Sequence, residues 1–96
     1  MKNLKDLTVL IVTYNTDKKI LLNCIKKIDK KVKVLIVENS KKFIHKKIFE
    51  KFRNVKSICS GDNLGYANGN NFGLNKIKTK YVLILNPDVL CDKNLF

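Results

Sequence analysis

Tyr81–Val89 reads Tyr-Val-Leu-Ile-Leu-Asn-Pro-Asp-Val, and the rest of the chain falls into place around it. Val82 to Leu85 is an unbroken apolar run of the length expected for a strand buried on both faces, as in a parallel sheet. The run stops at Asn86-Pro87-Asp88. Pro87, the only proline, holds the residue before it extended and has no N–H to give to a ladder. Strand pairing is therefore predicted to end there. Asp88 is left just beyond the carboxyl end of a central strand, where open α/β sheets bind ligands. A carboxylate in that place is a candidate ligand for a divalent cation carrying phosphates.

Upstream, the same pattern recurs. Leu7–Thr13 is a β-branched, nearly continuous apolar strand that runs into the polar Tyr14-Asn15-Thr16-Asp17. A helix follows to about Ile28, with Ile20, Leu21, Cys24, Ile25 and Ile28 at helical spacing and lysines mainly opposite. Val32–Val37 is a second strand ending in Glu38-Asn39-Ser40. Ser40 is placed to cap a helix over Lys41–Phe52 with an Ile44, Ile48, Phe52 stripe. Val55–Cys59 is a weaker third strand, and Ser60–Ala67 leads into a third helix reaching Ile77 or Lys78. Strand and helix alternate through to Tyr81–Leu85, which predicts an α/β fold with a mostly parallel sheet between helical layers. Right-handed crossovers then gather every strand's carboxyl end on one rim.

Composition narrows the classes. A chain of 96 residues with 45 % hydrophobic content is one small domain with a core, not a disordered segment. It ends soon after the strand at Tyr81, so the expectation is a domain cut short at its C-terminus. The net charge is +12, carried by lysine except for Arg53. A solvated lysine face explains this better than specific nucleic-acid recognition, which favours the arginine fork. The excess also admits peripheral contact with an anionic membrane. Cys24, Cys59 and Cys91 have neither disulfide-framework nor zinc spacing, and reduced thiols in a cytoplasmic protein are expected. His45 reads as a helix surface residue. No stretch has the composition of a signal peptide or the length of a membrane span.

All four glycines, Gly61, Gly65, Gly69 and Gly73, lie four residues apart. This is neither a dinucleotide fingerprint nor a phosphate-binding loop followed by Lys-Ser/Thr. Gly61 and Gly65 suit turns with positive φ. Gly69 and Gly73 inside a helix each sacrifice about 1 kcal/mol of propensity relative to alanine, which calls for close packing or a ligand. Ala67, Asn70, Leu74 and Ile77 are expected to form the inward stripe, with Asn71 beside it. Its amides serve either as structural ties between loop and helix or as contacts to a bound nucleotide-sugar. Glu38 and Asp88 are the principal rim acids, and Asp62 and Asp92 weaker ones.

Taken together, Val9–Asn15, Val34–Ser40, Asn63–Gly73 and Leu85–Val89 resemble the family 2 glycosyltransferases of the GT-A fold, in flavour their rhamnosyltransferase-like branch. The resemblance spans nearly the whole chain and implies a three-layer, Rossmann-like nucleotide-diphospho-sugar-binding half. It implies that Thr13, Tyr14 and Asn15 border the nucleoside, with Glu38 in place of the family's usual Asp at the base or ribose. Asn63, Gly65, Asn70, Asn71 and Asn86 would line the donor pocket. Asp88 would match the last acid of the Asp-x-Asp motif and hold Mg²⁺ or Mn²⁺ on the diphosphate. Asn86 replaces the first acid, and Asn70 stands where many relatives carry arginine.

The implied chemistry is inverting transfer from a nucleotide-diphosphate sugar to a saccharide or lipid-linked acceptor in cell-surface polysaccharide synthesis. The family's base lies well downstream of Asp-x-Asp, so no catalytic residue is expected within this chain. The alternative is a non-catalytic nucleotide-sugar-binding module completed by another chain.

Overall fold

In the computed structural model, which describes residues 3–91 and 95–96, β1 (Leu7–Thr13) is the centre of the molecule, and all seven of its residues are buried. β2 (Lys33–Glu38) and β3 (Val55–Cys59) lie on one side of it and β4 (Tyr81–Ile84) on the other. The order is β3-β2-β1-β4. Every pairing is parallel, with Val9 opposite both Val34 and Leu83. The fold is therefore α/β, a Rossmann-like sheet with helices on its faces, as the alternation predicts.

Side chains alternate between the two faces of each strand. One face of β1 and β2 sends Val9, Ile11, Val34 and Ile36 into a cluster with Leu21, Cys24, Ile25 and Phe49. The other face sends Leu10, Val12 and Val37 against Phe72 and Ile77. Full burial of such side chains is worth roughly 1.5–3 kcal/mol each, so both faces of the central strands contribute. The first cluster rests on α1 (Lys18–Lys26), whose N-terminus is capped by Asp17 accepting from Lys19 N and Ile20 N. The second rests on α3 (Tyr66–Leu74).

Three expectations need correction. The helix expected over Lys41–Phe52 shrinks to α2 (Lys46–Phe49). Ser40 does not cap it, because its hydroxyl donates to Glu38 Oε2 at 2.6 Å and to Lys42 O at 3.1 Å. The buried residues here are Phe43 and Phe49, stacked at 5.8 Å, while Ile44 is 72 % exposed. Two rings six positions apart do not share a helical stripe, and the chain turns between them. His45 packs edge-on against both rings instead of standing free.

The second correction concerns α3. It ends at Leu74, and its buried residues are Gly69, Asn70 and Gly73. Ala67 and Leu74 face solvent. The glycines let the helix backbone settle on the sheet. A Cβ on Gly73 would lie 2.5 Å from Leu10 Cδ1 and 2.9 Å from Val37 Cγ2. Close packing thus accounts for both helical glycines.

The third concerns the strand at Tyr81. β4 pairs with β1 alone, from Leu7↔Tyr81 to Leu10↔Ile84, and its outer side is an edge among the described residues. Tyr81 and Ile84 are about half exposed. The centrally buried strand is β1. Pairing nonetheless ends where Pro87 predicts: Leu85 N still donates to Leu10 O, and Val89 N closes a turn onto Asn86 O.

Candidate functional site

The carboxyl ends of the strands meet as a rim of short polar loops. At its heart is Glu38, only 2 % exposed. Its Oε1 accepts from Thr13 Oγ1 at 2.8 Å, and its Oε2 accepts from Ser40 Oγ at 2.6 Å and Asn15 N at 3.2 Å. A buried carboxylate needs such donors in place of water. Asn15 reaches it from a left-handed conformation, φ +49°, which asparagine tolerates better than most residues. Thr16 Oγ1 accepts from Tyr14 N, and the Tyr14 ring is 56 % exposed at the lip.

The neighbouring residue turns to the other face. Asn39 is as buried as Glu38. Its backbone N donates to Thr13 O, its Nδ2 donates to Gly65 O at 2.9 Å, and its Oδ1 accepts from Ser60 Oγ at 2.8 Å. One side chain therefore ties the loop after β3 to the start of α3. Gly69 makes room for it, since a Cβ there would lie 2.8 Å from Asn39 Nδ2. Gly65 has φ +80°, and its N–H donates to Asn63 Oδ1, a side-chain turn that opens the helix.

Asn70 is buried on α3, and its side-chain oxygen has no hydrogen-bond partner. Leaving such an acceptor unmet costs roughly 1–3 kcal/mol. Asn71, one position on, is exposed, as are Asn63, Asp62, Asn86 and Asp88. Asp92 lies outside the described residues. Asp88 is a central residue of the turn that Val89 N closes onto Asn86 O. Cys24 of α1 is raised to about 11 by burial first, then by the nearby Cys91 and Asp88.

The structure thus gathers Thr13, Asn15 and Glu38 into one bonded group and Asn63, Gly65 and Asn39 into another. Sequence reasoning gives Asn39 and Ser60 no role of their own and reads Ser40 as a helix cap instead of a partner of Glu38. The close spacing demanded by Gly69 is the one signal that points toward Asn39.

Residues 8–96 match Glycosyl transferase family 2. The chain belongs to this family. No curated protein matches it. Family 2 members act with a nucleotide-sugar donor and an acceptor, and commonly with a divalent metal. Among the described residues, no three His, Cys, Asp or Glu side chains are grouped to hold a metal ion. The exposed Asp88 carboxylate and the Asn86 amide oxygen are nevertheless hard oxygen donors. A Mg²⁺ or Mn²⁺ ion arriving on a diphosphate requires only one or two protein carboxylates. The donor set fits that mode and not a resident cage. No helix among the described residues is long and apolar enough to cross a membrane.

Proposed function

We propose that the carboxyl rim is the donor site of a family 2 glycosyltransferase of the rhamnosyltransferase-like branch. In this reading the chain is the N-terminal nucleotide-sugar-binding portion of a GT-A domain. The transferred sugar goes to a saccharide or lipid-linked acceptor in cell-surface polysaccharide synthesis, on the cytoplasmic side, with peripheral membrane contact. The observation that carries this reading is the buried Asn70 oxygen without a partner, close in sequence to a rim already built from Gly65, Asn39 and Glu38.

Thr13, Tyr14 and Asn15 border the nucleoside in this reading. Glu38 sets their loop and has both oxygens engaged, so its part in nucleotide choice works through Asn15 and Thr13. Asn63, Gly65, Asn70 and Asn71 line the sugar-diphosphate side. Asp88, with Asn86 beside it, would hold a divalent cation on the diphosphate. When bound, that cation supplies electrostatic stabilisation of the charge developing on the leaving group. The general base that deprotonates the acceptor is assigned to no residue of this chain. The outer side of β4, unpaired among the described residues, favours one alternative, a non-catalytic nucleotide-sugar-binding module completed by another chain.

Calorimetric titration with dTDP-, UDP- and GDP-sugars, with and without Mn²⁺, tests the assignment. One of these donors is expected to bind in a metal-dependent way, and Asp88→Ala to remove most of that dependence. Metal-dependent binding unchanged in Asp88→Ala would refute the metal role. Donor hydrolysis or transfer separates the enzyme from the binding module.

A further inference from the structure

The opposite, amino end of the sheet carries a cavity of about 720 Å³. Seven of its fourteen lining residues are lysine or arginine, and Asp6 is the one acid among them. The cations come from separate stretches of chain: Lys5 before β1, Lys33 at the start of β2, Arg53 and Lys56 around the start of β3, and Lys76, Lys78 and Lys80 between α3 and β4.

Two structural ties hold these stretches in place. Thr8 Oγ1 and Thr79 Oγ1 share a hydrogen bond of 2.6 Å, which fixes the segment before β4 to β1. Asn54 Nδ2 donates to Val32 O, and Asn54 O accepts from Val34 N, which fixes the turn before β3 to β2.

A solvated helix end explains part of this charge, because cations near a helix C-terminus are favoured by its dipole. That reaches Lys76, two residues past the end of α3. It does not cover Lys33, Arg53 and Lys56. Lys56 pairs in register with Leu35 and alternates with the buried Val55 and Ser57. Its side chain therefore projects from the sheet face on which Ile58 packs with the α3-side cluster. A lysine there borders a concavity, where low-dielectric walls strengthen the summed field.

We infer that this cleft is a binding site for a soluble, compact polyphosphate, separate from the donor site. The shape and lining favour that ligand over two others. A planar membrane surface does not follow a concavity, and the apolar lining residues are few, Val34, Leu35 and Ile77. Single-stranded nucleic acid calls for aromatic stacking platforms, and no lining residue is aromatic. The cleft and the donor rim lie at opposite ends of β1, a separation of roughly 20 Å for a seven-residue strand. The two sites are therefore independently testable.

The test is calorimetric titration of the full chain with inorganic tripolyphosphate at two salt concentrations. The cleft variant is Lys33→Gln/Arg53→Gln/Lys56→Gln. The control, Lys26→Gln/Lys46→Gln/Lys47→Gln, removes the same charge from α1 and α2. The cleft variant is expected to weaken binding at least tenfold and the control about twofold or less, with both variants melting like the parent. Asp88→Ala is expected to leave tripolyphosphate binding unchanged, whatever it does to the donor. Equal weakening by both triple variants would reduce the effect to net charge and overturn the site, as would absence of binding. Tighter binding of phosphatidylglycerol vesicles or single-stranded DNA, abolished by the cleft variant, would overturn the choice of ligand.

Discussion

The two ends of one parallel sheet differ sharply in chemistry. At the carboxyl rim, Thr13–Asn15, Glu38–Ser40, Ser60–Gly65 and Asn86–Asp88 contain no lysine or arginine. Their polar groups are amides, hydroxyls and carboxylates, many already hydrogen-bonded to one another. At the amino rim, cations face a shared cavity with one acid among them. The +12 net charge is thus not an even coat. The first rim is a preorganised polar surface and the second an electrostatic one. In the proposed reading, shape and hydrogen bonding discriminate ligands at the first, and charge density does so at the second.

Mutation of Glu38 is the strongest way to break that contrast. Glu38→Ala strands the Thr13 hydroxyl and the Asn15 N–H, leaves the Ser40 hydroxyl only Lys42 O, and opens space in the rim. A loss of about 3 kcal/mol in urea unfolding is expected, with Glu38→Gln milder because it keeps one acceptor. Loss of the loop conformation should remove donor binding while leaving tripolyphosphate binding intact. A variant as stable as the parent would show that the carboxylate does not organise the rim.

Gly69→Ala comes next. Its Cβ would meet Asn39 Nδ2 and Val12 Cγ1 at 2.8 and 2.9 Å. Neither neighbour is free to retreat, since the amide is bonded to Gly65 O and the valine is β-branched. Overpacking of this kind costs typically 1–3 kcal/mol, reduced by the gain of about 1 kcal/mol in helix propensity. A net loss of up to about 2 kcal/mol in thermal or urea unfolding is expected. The companion Asn39→Ser should recover part of it by shortening the obstructing side chain.

The effect that is smallest at neutral pH, and shows only at high pH, lies on the α1 side of the carboxyl rim. Burial, with help from Cys91 and Asp88, raises the Cys24 thiol from its ordinary 9.0 to about 11. Burial raises Cys91 as well. The folded state therefore holds these protons more tightly than the unfolded chain. The resulting stability is fully present below pH 9 and is lost as the pH climbs through about 11. Urea midpoints measured from pH 8 to 11 should fall accordingly, and Cys24→Ser should flatten the decline. At neutral pH the partly exposed Cys59 should react with thiol reagents before Cys24.

Much of the framework was legible in the residues. Leu7–Thr13 matches its strand because a β-branched apolar run of that length has few alternatives, while the mixed Val-Lys-Ser-Ile-Cys of Val55–Cys59 matches on a weaker signal. Pro87 ends β4's pairing for a reason internal to its ring. The short α2 was not legible, because Phe43 and Phe49 compete with the Ile44–Ile48 spacing and only the assembled core decides which pair is buried. The edge position of β4 was hidden for a related reason: an apolar run records hydrophobicity and not the number of neighbours.

At the site, the sequence placed Asn70 on the inward stripe, where it is buried, but named Glu38 without revealing its burial. A polar residue after a strand looks the same whether water or a neighbouring loop satisfies it. The basic cleft was the least visible feature. Its lysines are spread from Lys5 to Lys80 and join only through the parallel crossovers.

The side chain of Asn39 has a consequence for how the carboxyl rim behaves in time. Its amide is bonded to the loop after β3 and to the first turn of α3, while its own backbone clasps β1. None of these segments can swing away without releasing the same residue. The rim should therefore open and close as one cooperative unit. A ligand entering it meets either a finished surface or none.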